Sequence, residues 1–162
     1  MNPKEQFIQA WEREFPTTLK VLKAFPNNQG EFKPHERSPS ARELAWHFVQ
    51  GQVAVGQILD GTLELPPKFP PVPEKWADVI STYEKTHGGL VEKLRRTSEA
   101  DVLNTIKFLL GRGQWGDVPK IDVMWIVHSD QIHHRGQFSV YLRLASGKIP
   151  SIYGPTADEP WF

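Results

Sequence analysis

The 162-residue chain carries 19 basic and 19 acidic residues, so its formal net charge is zero and gives no electrostatic reason to expect nucleic acid or an anionic membrane as partner. It contains no cysteine, which excludes disulfides, thiolate nucleophiles and zinc-finger ligation; any metal would have to be held by nitrogen and oxygen. A chain of this length suits one domain, residues 1–162, and buries about 70% of the surface its unfolded form exposes.

The N-terminal run MNPKEQFIQAWEREF is charged throughout and has no apolar stretch of the length a signal peptide or membrane span requires, so the expected location is cytoplasmic. Phe7, Ile8, Trp11, Phe15, Leu19 and Leu22 fall at spacings of three and four, which predicts a half-buried first helix from about residue 3 to about 25, kinked or restarted at Pro16. The polar segment PNNQGEFKPHERSP follows, and His35 within it carries no signal. Ser40 with Glu43 is the capping-box signature of a second helix, which carries Leu44, His47, Phe48, Gly51, Val55 and Ile58 along one face and ends at Gly61.

The prolines of LPPKFPPVPEKW lack amide hydrogens and favour extended backbone, so this stretch reads as a stiff crossover. Trp76, Ile80, Tyr83, His87, Leu90 and Leu94 mark a third helix. Its Gly88–Gly89 pair costs about 2 kcal/mol of helix propensity against two alanines, which predicts close approach of a neighbour or a local break. KLRR at Lys93–Arg96 reads as a solvated helix end. Ser98 with Asp101 predicts a short capped helix, GRGQWGDVP a loop, and Pro119 the start of the last long helix.

In that last helix Val123, Val127, Asp130, His134, Gln137, Tyr141 and Leu144 alternate steps of four and three and share one seam, expected to face the interior. An Asp, a His and a Gln in consecutive inward slots are not what packing alone selects, because each must offset its desolvation. Side chains four apart have Cβ atoms about 5–6 Å apart, close enough to share one ion. His47, on the apolar stripe of the second helix, is the third candidate ligand. The same residues are also compatible with an internal ion pair, or with a general-base pair that uses no metal. His133 points away from His134 and reads as a group backing a ligand, a substitute ligand or an interface residue. His87 is the rival ligand or a hydrogen-bonded histidine of the bundle. His128 and Arg135 fall off the seam and are expected in solvent. The expected architecture is all-α, a four-helix bundle with a non-helical tail from Lys148 to Phe162. Ile149, Ile152, Tyr153, Trp161 and Phe162 should fold that tail back onto the bundle.

The run IHHRGQFSVYLRL at residues 132–144, the segment KIPSIYGPTADEP at 148–160 and LAWHF around His47 resemble the DinB-like (DinB/YfiT-type) family of damage-inducible bacterial metalloproteins, which is not the translesion polymerase of that name. The resemblance spans the whole chain, and HRGQ is its specific part. It implies an up-down-down-up four-helix bundle, often a homodimer, with a divalent metal (Zn, Ni, Fe or Mn) held by a helix-two His and a pair four residues apart on the last helix. By position these are His47, Asp130 and His134; the family usually has a histidine where this chain has Asp130. The resemblance further implies a metal-dependent enzyme of the small-thiol transferase type, using a low-molecular-weight thiol on a small-molecule substrate, with Gln137 and Tyr141 lining its pocket. The alternative it leaves is a non-catalytic stress-response or scaffold protein whose metal site is structural, sensory or vestigial. Gly136 would allow two copies to approach closely.

Overall fold

The computed structural model describes residues 2–162. Five helices and one hairpin follow in the order α1 (Pro3–Ala24), α2 (Ala41–Asp60), α3 (Trp76–Arg96), α4 (Glu99–Leu103), β1 (Thr105–Gly111), β2 (Gln114–Pro119) and α5 (Lys120–Leu144), with one 3-10 turn at Asn27–Gln29.

Local chemistry sets most boundaries. Asn2 accepts a hydrogen bond from the Glu5 amide to open α1, Ser40 and Glu43 form the expected capping box of α2, and Gly61 closes α2 with a left-handed φ of 69°. Pro16 leaves α1 unbroken. It lies on the exposed side, where the carbonyl it leaves without a donor can face water. Gly88 and Gly89 cause no break in α3 either, and a Cβ at either position would meet nothing within 4 Å. Close packing therefore does not account for that pair.

The fold is mostly helical but not all-α. Residues 105–119, in part expected as a loop, form a two-stranded antiparallel hairpin in which Leu109 faces Trp115 and Phe108 faces Gly116. Ile106, Phe108 and Val118 turn toward the core, while Leu109 and Trp115 stay exposed. Alternation over so short a run, interrupted by Gly-Arg-Gly, reads as easily as loop as it does as strand.

α1 packs against α3 and α5, and α2 packs against the same two helices. Their buried faces form two apolar clusters. One holds Leu22, Phe25, Phe48, Trp76, Val79, Phe138 and Leu142; the other holds Phe7, Trp11, Ile58, Leu94, Val123 and Met124. Between them, on every long helix, the sequence places polar groups: Glu14 and Thr18 on α1, Gln52 on α2, His87 on α3, and His128, Gln131 and Arg135 on α5. Arg135 donates from Nη2 to Glu14 Oε2 at 2.8 Å and from Nη1 to Thr18 Oγ1 at 3.1 Å. From the C-terminal tail, the Tyr153 hydroxyl donates to Glu14 at 2.6 Å and also accepts from Arg135. The tail thus returns to the helices as expected, through a polar anchor as well as through Ile149 and Ile152.

This layer corrects the expected phase of α5. His128 and Arg135, expected in solvent, are 5% and 2% exposed, and the buried stripe runs through Met124, His128, Gln131, Arg135, Phe138 and Leu142. At 100° per residue, the seam of Asp130 and His134 is displaced from that stripe by roughly a quarter turn. The proposed ligands accordingly lie at the margin of the helix interface and not in the core.

Candidate metal centre

α2 and α5 meet closely because residue 51 is glycine: a Cβ there would stand 2.3 Å from the buried Gln131 amide nitrogen. The Gln131 side chain in turn donates from Nε2 to the His47 carbonyl at 3.4 Å, tying α5 to the α2 backbone at the level of the site. Along this line His47 projects from α2, and Asp130 and His134 project from successive turns of α5.

The three side chains converge. His47 Nε2 lies 2.7 Å from Asp130 Oδ2, and His134 Nε2 lies 3.2 Å from Asp130 Oδ1. One donor atom from each can be chosen so that all lie within 4.8 Å of one another. Donors around a tetrahedral ion with bonds of about 2.0–2.2 Å stand about 3.4 Å apart, so the spacing suits a cation after small side-chain adjustments. The group is half-buried, with side-chain exposures of 34% for His47, 41% for Asp130 and 24% for His134.

Electrostatics make the donor set self-consistent. Burial pushes the Asp130 carboxyl up, but the hydrogen bond from His47 and the charges of His47, His134 and His133 outweigh it and hold the group below the ordinary carboxylate range. As a carboxylate it only accepts, so His47 Nε2 is the donor in their contact. His134 differs. Its Nδ1 donates to Gln137 Oε1 at 2.8 Å, and the Gln137 amide donates to His133 Nε2 at 2.9 Å. A neutral ring with its proton on Nδ1 turns a bare Nε2 lone pair toward Asp130 Oδ1. Lone pair against carboxylate is repulsive unless a cation or a second ring proton lies between them. A second ring proton or a divalent ion would each relieve that contact, and the donor set suits the ion through His47 Nε2, His134 Nε2 and the Asp130 carboxylate.

The other named residues are placed as follows. His133 and Gln137 are exposed and form the chain that orients His134. Tyr141 is 6% exposed, part of the apolar core, and its hydroxyl donates to the Pro39 carbonyl at 3.0 Å. His87 stacks on Phe15 with ring centroids 3.7 Å apart, in the polar layer, and does not belong to the convergent group. Burial pushes its pKa down to about 4, against a smaller opposing effect of Glu12. His35 accepts from the Arg37 amide in an exposed loop.

An open cleft of about 850 Å³ borders the site, with His47 and His134 in its wall. Neither Gln137 nor Tyr141 lines it. One side is the crossover, Phe69–Val72, tied to α2 where Trp46 Nε1 donates to the Pro70 carbonyl at 2.9 Å. The lining also carries Lys33, Glu36, Arg37 and Glu43, two basic and two acidic groups. A proline-rich run signals a stiff crossover, but nothing in its composition reveals which helix it is tied to.

The family model for the DinB family matches residues 1–160. The chain belongs to the DinB family. The Bacillus subtilis protein YrdA is 26% identical over 156 residues, covering 96% of this chain and 90% of YrdA. Among solved structures, a DinB-like protein from Bacillus cereus superposes with a TM-score of 0.76 at 25% identity, covering 92% of this chain and 97% of that one. The Bacillus subtilis DinB-like protein YjoA superposes at 0.69 and 20% identity over 87% of this chain and 92% of its own, a likeness of fold. The HRGQ segment divides between two places in the fold: His134 faces the candidate metal centre with Gln137 behind it, while Arg135 is the buried cation of the polar layer.

Proposed function

We propose that this DinB protein binds one divalent ion through His47, Asp130 and His134, and that it is an enzyme of the small-thiol transferase type acting on a small molecule in the adjoining cleft. The observation that carries the reading is the convergence of two imidazoles and a carboxylate, from two helices, on the wall of an open cleft. Two His and one carboxylate leave coordination positions free, and a bound ion would lower the pKa of a thiol or water held there.

The chain's own residues supply the rest. Gln137 fixes the ring of His134, and His47 and Asp130 hold each other in place before any ligand arrives. The crossover at Phe69–Val72 and Trp46 offer apolar surface, while Lys33 and Arg37 are matched by Glu36 and Glu43, so an amphipathic molecule suits the walls. The up-down-down-up arrangement belongs to the same proposal. Its support is order: α1 and α5 pass from the Phe7–Met124 cluster to the Phe25–Phe138 cluster, whereas α2 and α3 pass the other way.

Metal content of protein purified without a chelating affinity step tests the reading. About one ion per chain is expected for the parent, near zero for His134→Ala and Asp130→Leu, and retention in Asp130→His. Unchanged content in His134→Ala removes the ligand set. Turnover with a thiol and a small electrophile, lost in the same variants, tests the enzymatic half.

A non-catalytic reading is favoured by one observation. Asp130 accepts a hydrogen bond from His47 at 2.7 Å, a contact that can satisfy both groups by protons alone. Metal content near zero in the parent protein, with the fold intact, would support that reading.

A further inference from the structure

Two glycines inside long helices have no task within the chain itself. Gly56 on α2 and Gly89 on α3 both cost helix propensity against alanine. A Cβ at either position would meet nothing within 4 Å, and neither has a positive φ, so neither packing nor backbone conformation requires glycine there. What their bare backbones do is leave room. With Val53 and Leu90 they line an open groove of about 460 Å³ between α2 and α3. Small-molecule sites are typically recesses of about 300–1,000 Å³ with mostly apolar walls and a few placed polar groups. The groove shares no lining residue with the cleft beside the metal centre.

Two polar groups of the groove are unanswered. Gln52 lines it and is 2% exposed, yet its amide meets no hydrogen-bond partner among the described residues. Buried side-chain amides are normally paired. Its Oε1 is sealed inside the protein, which leaves the Nε2 donor as the end that can serve the groove. Two lysines and no carboxylate stand in the lining. Lys93 is already occupied, donating to the Gly56 carbonyl at 3.2 Å and to Asp60. Lys85 has no hydrogen bond or ion pair among the described residues and remains an uncompensated cation. One amide donor and one free cation call for an acceptor that carries negative charge, and a carboxylate meets both.

We propose that the groove between α2 and α3 is a second small-molecule site, and that it takes a small organic acid with a flat apolar body. The carboxylate accepts from Gln52 Nε2 and pairs with Lys85, while the body lies along the backbones of Gly56 and Gly89 and between Val53 and Leu90. A side chain at either glycine would occupy the place of that body, which gives the two residues the role that packing does not. The site is separate from the metal centre, and it stands whether or not a metal binds or a reaction occurs there.

Titration of the isotopically labelled full-length protein with 2-naphthoate, followed by heteronuclear NMR, tests it. Shifts that saturate by roughly 5 mM, the range for a fragment of that size, should appear in the amides of residues 52–56 and 82–90 and not in those around His47 and His134. Gln52→Leu, which removes the donor at similar volume, should weaken binding about tenfold. Lys85→Glu should weaken it roughly fivefold at low salt and less at high salt. Gly89→Leu should abolish it while the melting temperature stays level or rises, because leucine favours the helix and a Cβ there is unopposed. A filled groove is thereby told apart from a lost fold. 2-Naphthylmethanol, the same body without the charge, should bind about tenfold more weakly than the acid. Absence of saturating shifts overturns the proposal. So do shifts confined to the residues around His47 and His134, an affinity unchanged in any of the three variants, or equal affinity for the acid and the alcohol.

Discussion

His134 and Gln137 are joined by a 2.8 Å hydrogen bond from the ring Nδ1 to the amide oxygen, so the orientation of the ring is set from the side away from Asp130. A residue that holds a ligand without touching the ion typically contributes about ten- to hundredfold to metal affinity.

Gln137→Ala should therefore weaken metal binding by about ten- to hundredfold while leaving the ligands in place. Gln137→Glu, which keeps an acceptor at the same reach, should retain most of it. Calorimetric titration of the metal-free protein with zinc measures both. An affinity unchanged in Gln137→Ala would mean that the ring is held by helix packing alone.

The Arg135–Glu14 pair is largely buried, with side-chain exposures of 2% and 10%. Removing one partner of such a pair leaves an uncompensated charge and costs about 3–5 kcal/mol, whereas replacing both with apolar groups of similar volume is often neutral or stabilising. Arg135→Met should accordingly lower the melting temperature strongly, and Arg135→Met with Glu14→Leu should recover much of the loss. Burial pushes the Glu14 carboxyl up, but hydrogen bonds from Tyr153 and Arg135 with the charge of Arg135 prevail and hold it below 4.5. Its stabilising contribution is thus present above that value and lost as pH falls through the depressed one. Tyr153→Phe removes two bonds of the set, the one given to Glu14 and the one taken from Arg135, costing about 1 kcal/mol each, and should speed proteolysis of the tail before the helices yield.

His87 gives a different pH window. Its folded pKa, about 4, lies below the ordinary 6.5, because burial against Phe15 disfavours the charged ring. The stability it contributes as a neutral ring is present above 6.5 and lost as pH falls toward 4, since the unfolded chain takes the proton first. Urea denaturation at pH 7 and pH 5 should show this loss in the parent and a smaller one in His87→Phe. Equal losses in both proteins would assign the acid sensitivity in that window to another group, such as His128, which burial also depresses.

The helix ends and the four-residue spacing that sets Asp130 beside His134 were legible because each depends on local chemistry, as do the cap at Ser40 and the stiff proline run after Gly61. The phase of α5 was not. A helix that buries Gln131, His128 and Arg135 and exposes Ile126 and Val140 has polar residues on the side where periodicity expects apolar ones, so counting hydrophobic steps selects the wrong stripe. Arg135 is buried only because Glu14, Thr18 and Tyr153 answer it from α1 and the tail, and no pattern local to α5 encodes partners so distant in sequence. The hairpin was missed for a related reason. Ile106, Phe108 and Val118 gain from strand geometry only because the apolar end of the helices is there to receive them. Gly51, by contrast, was noted on the inner stripe without its meaning, which required knowing that Gln131 lies opposite.

The tie between Trp46 and the Pro70 carbonyl bears on how a guest would enter. A proline-rich segment already stiff in solution, and then pinned to α2, loses little freedom when a molecule settles against it. Affinity at that wall should therefore depend on complementarity of shape and charge, with almost no penalty for ordering the host.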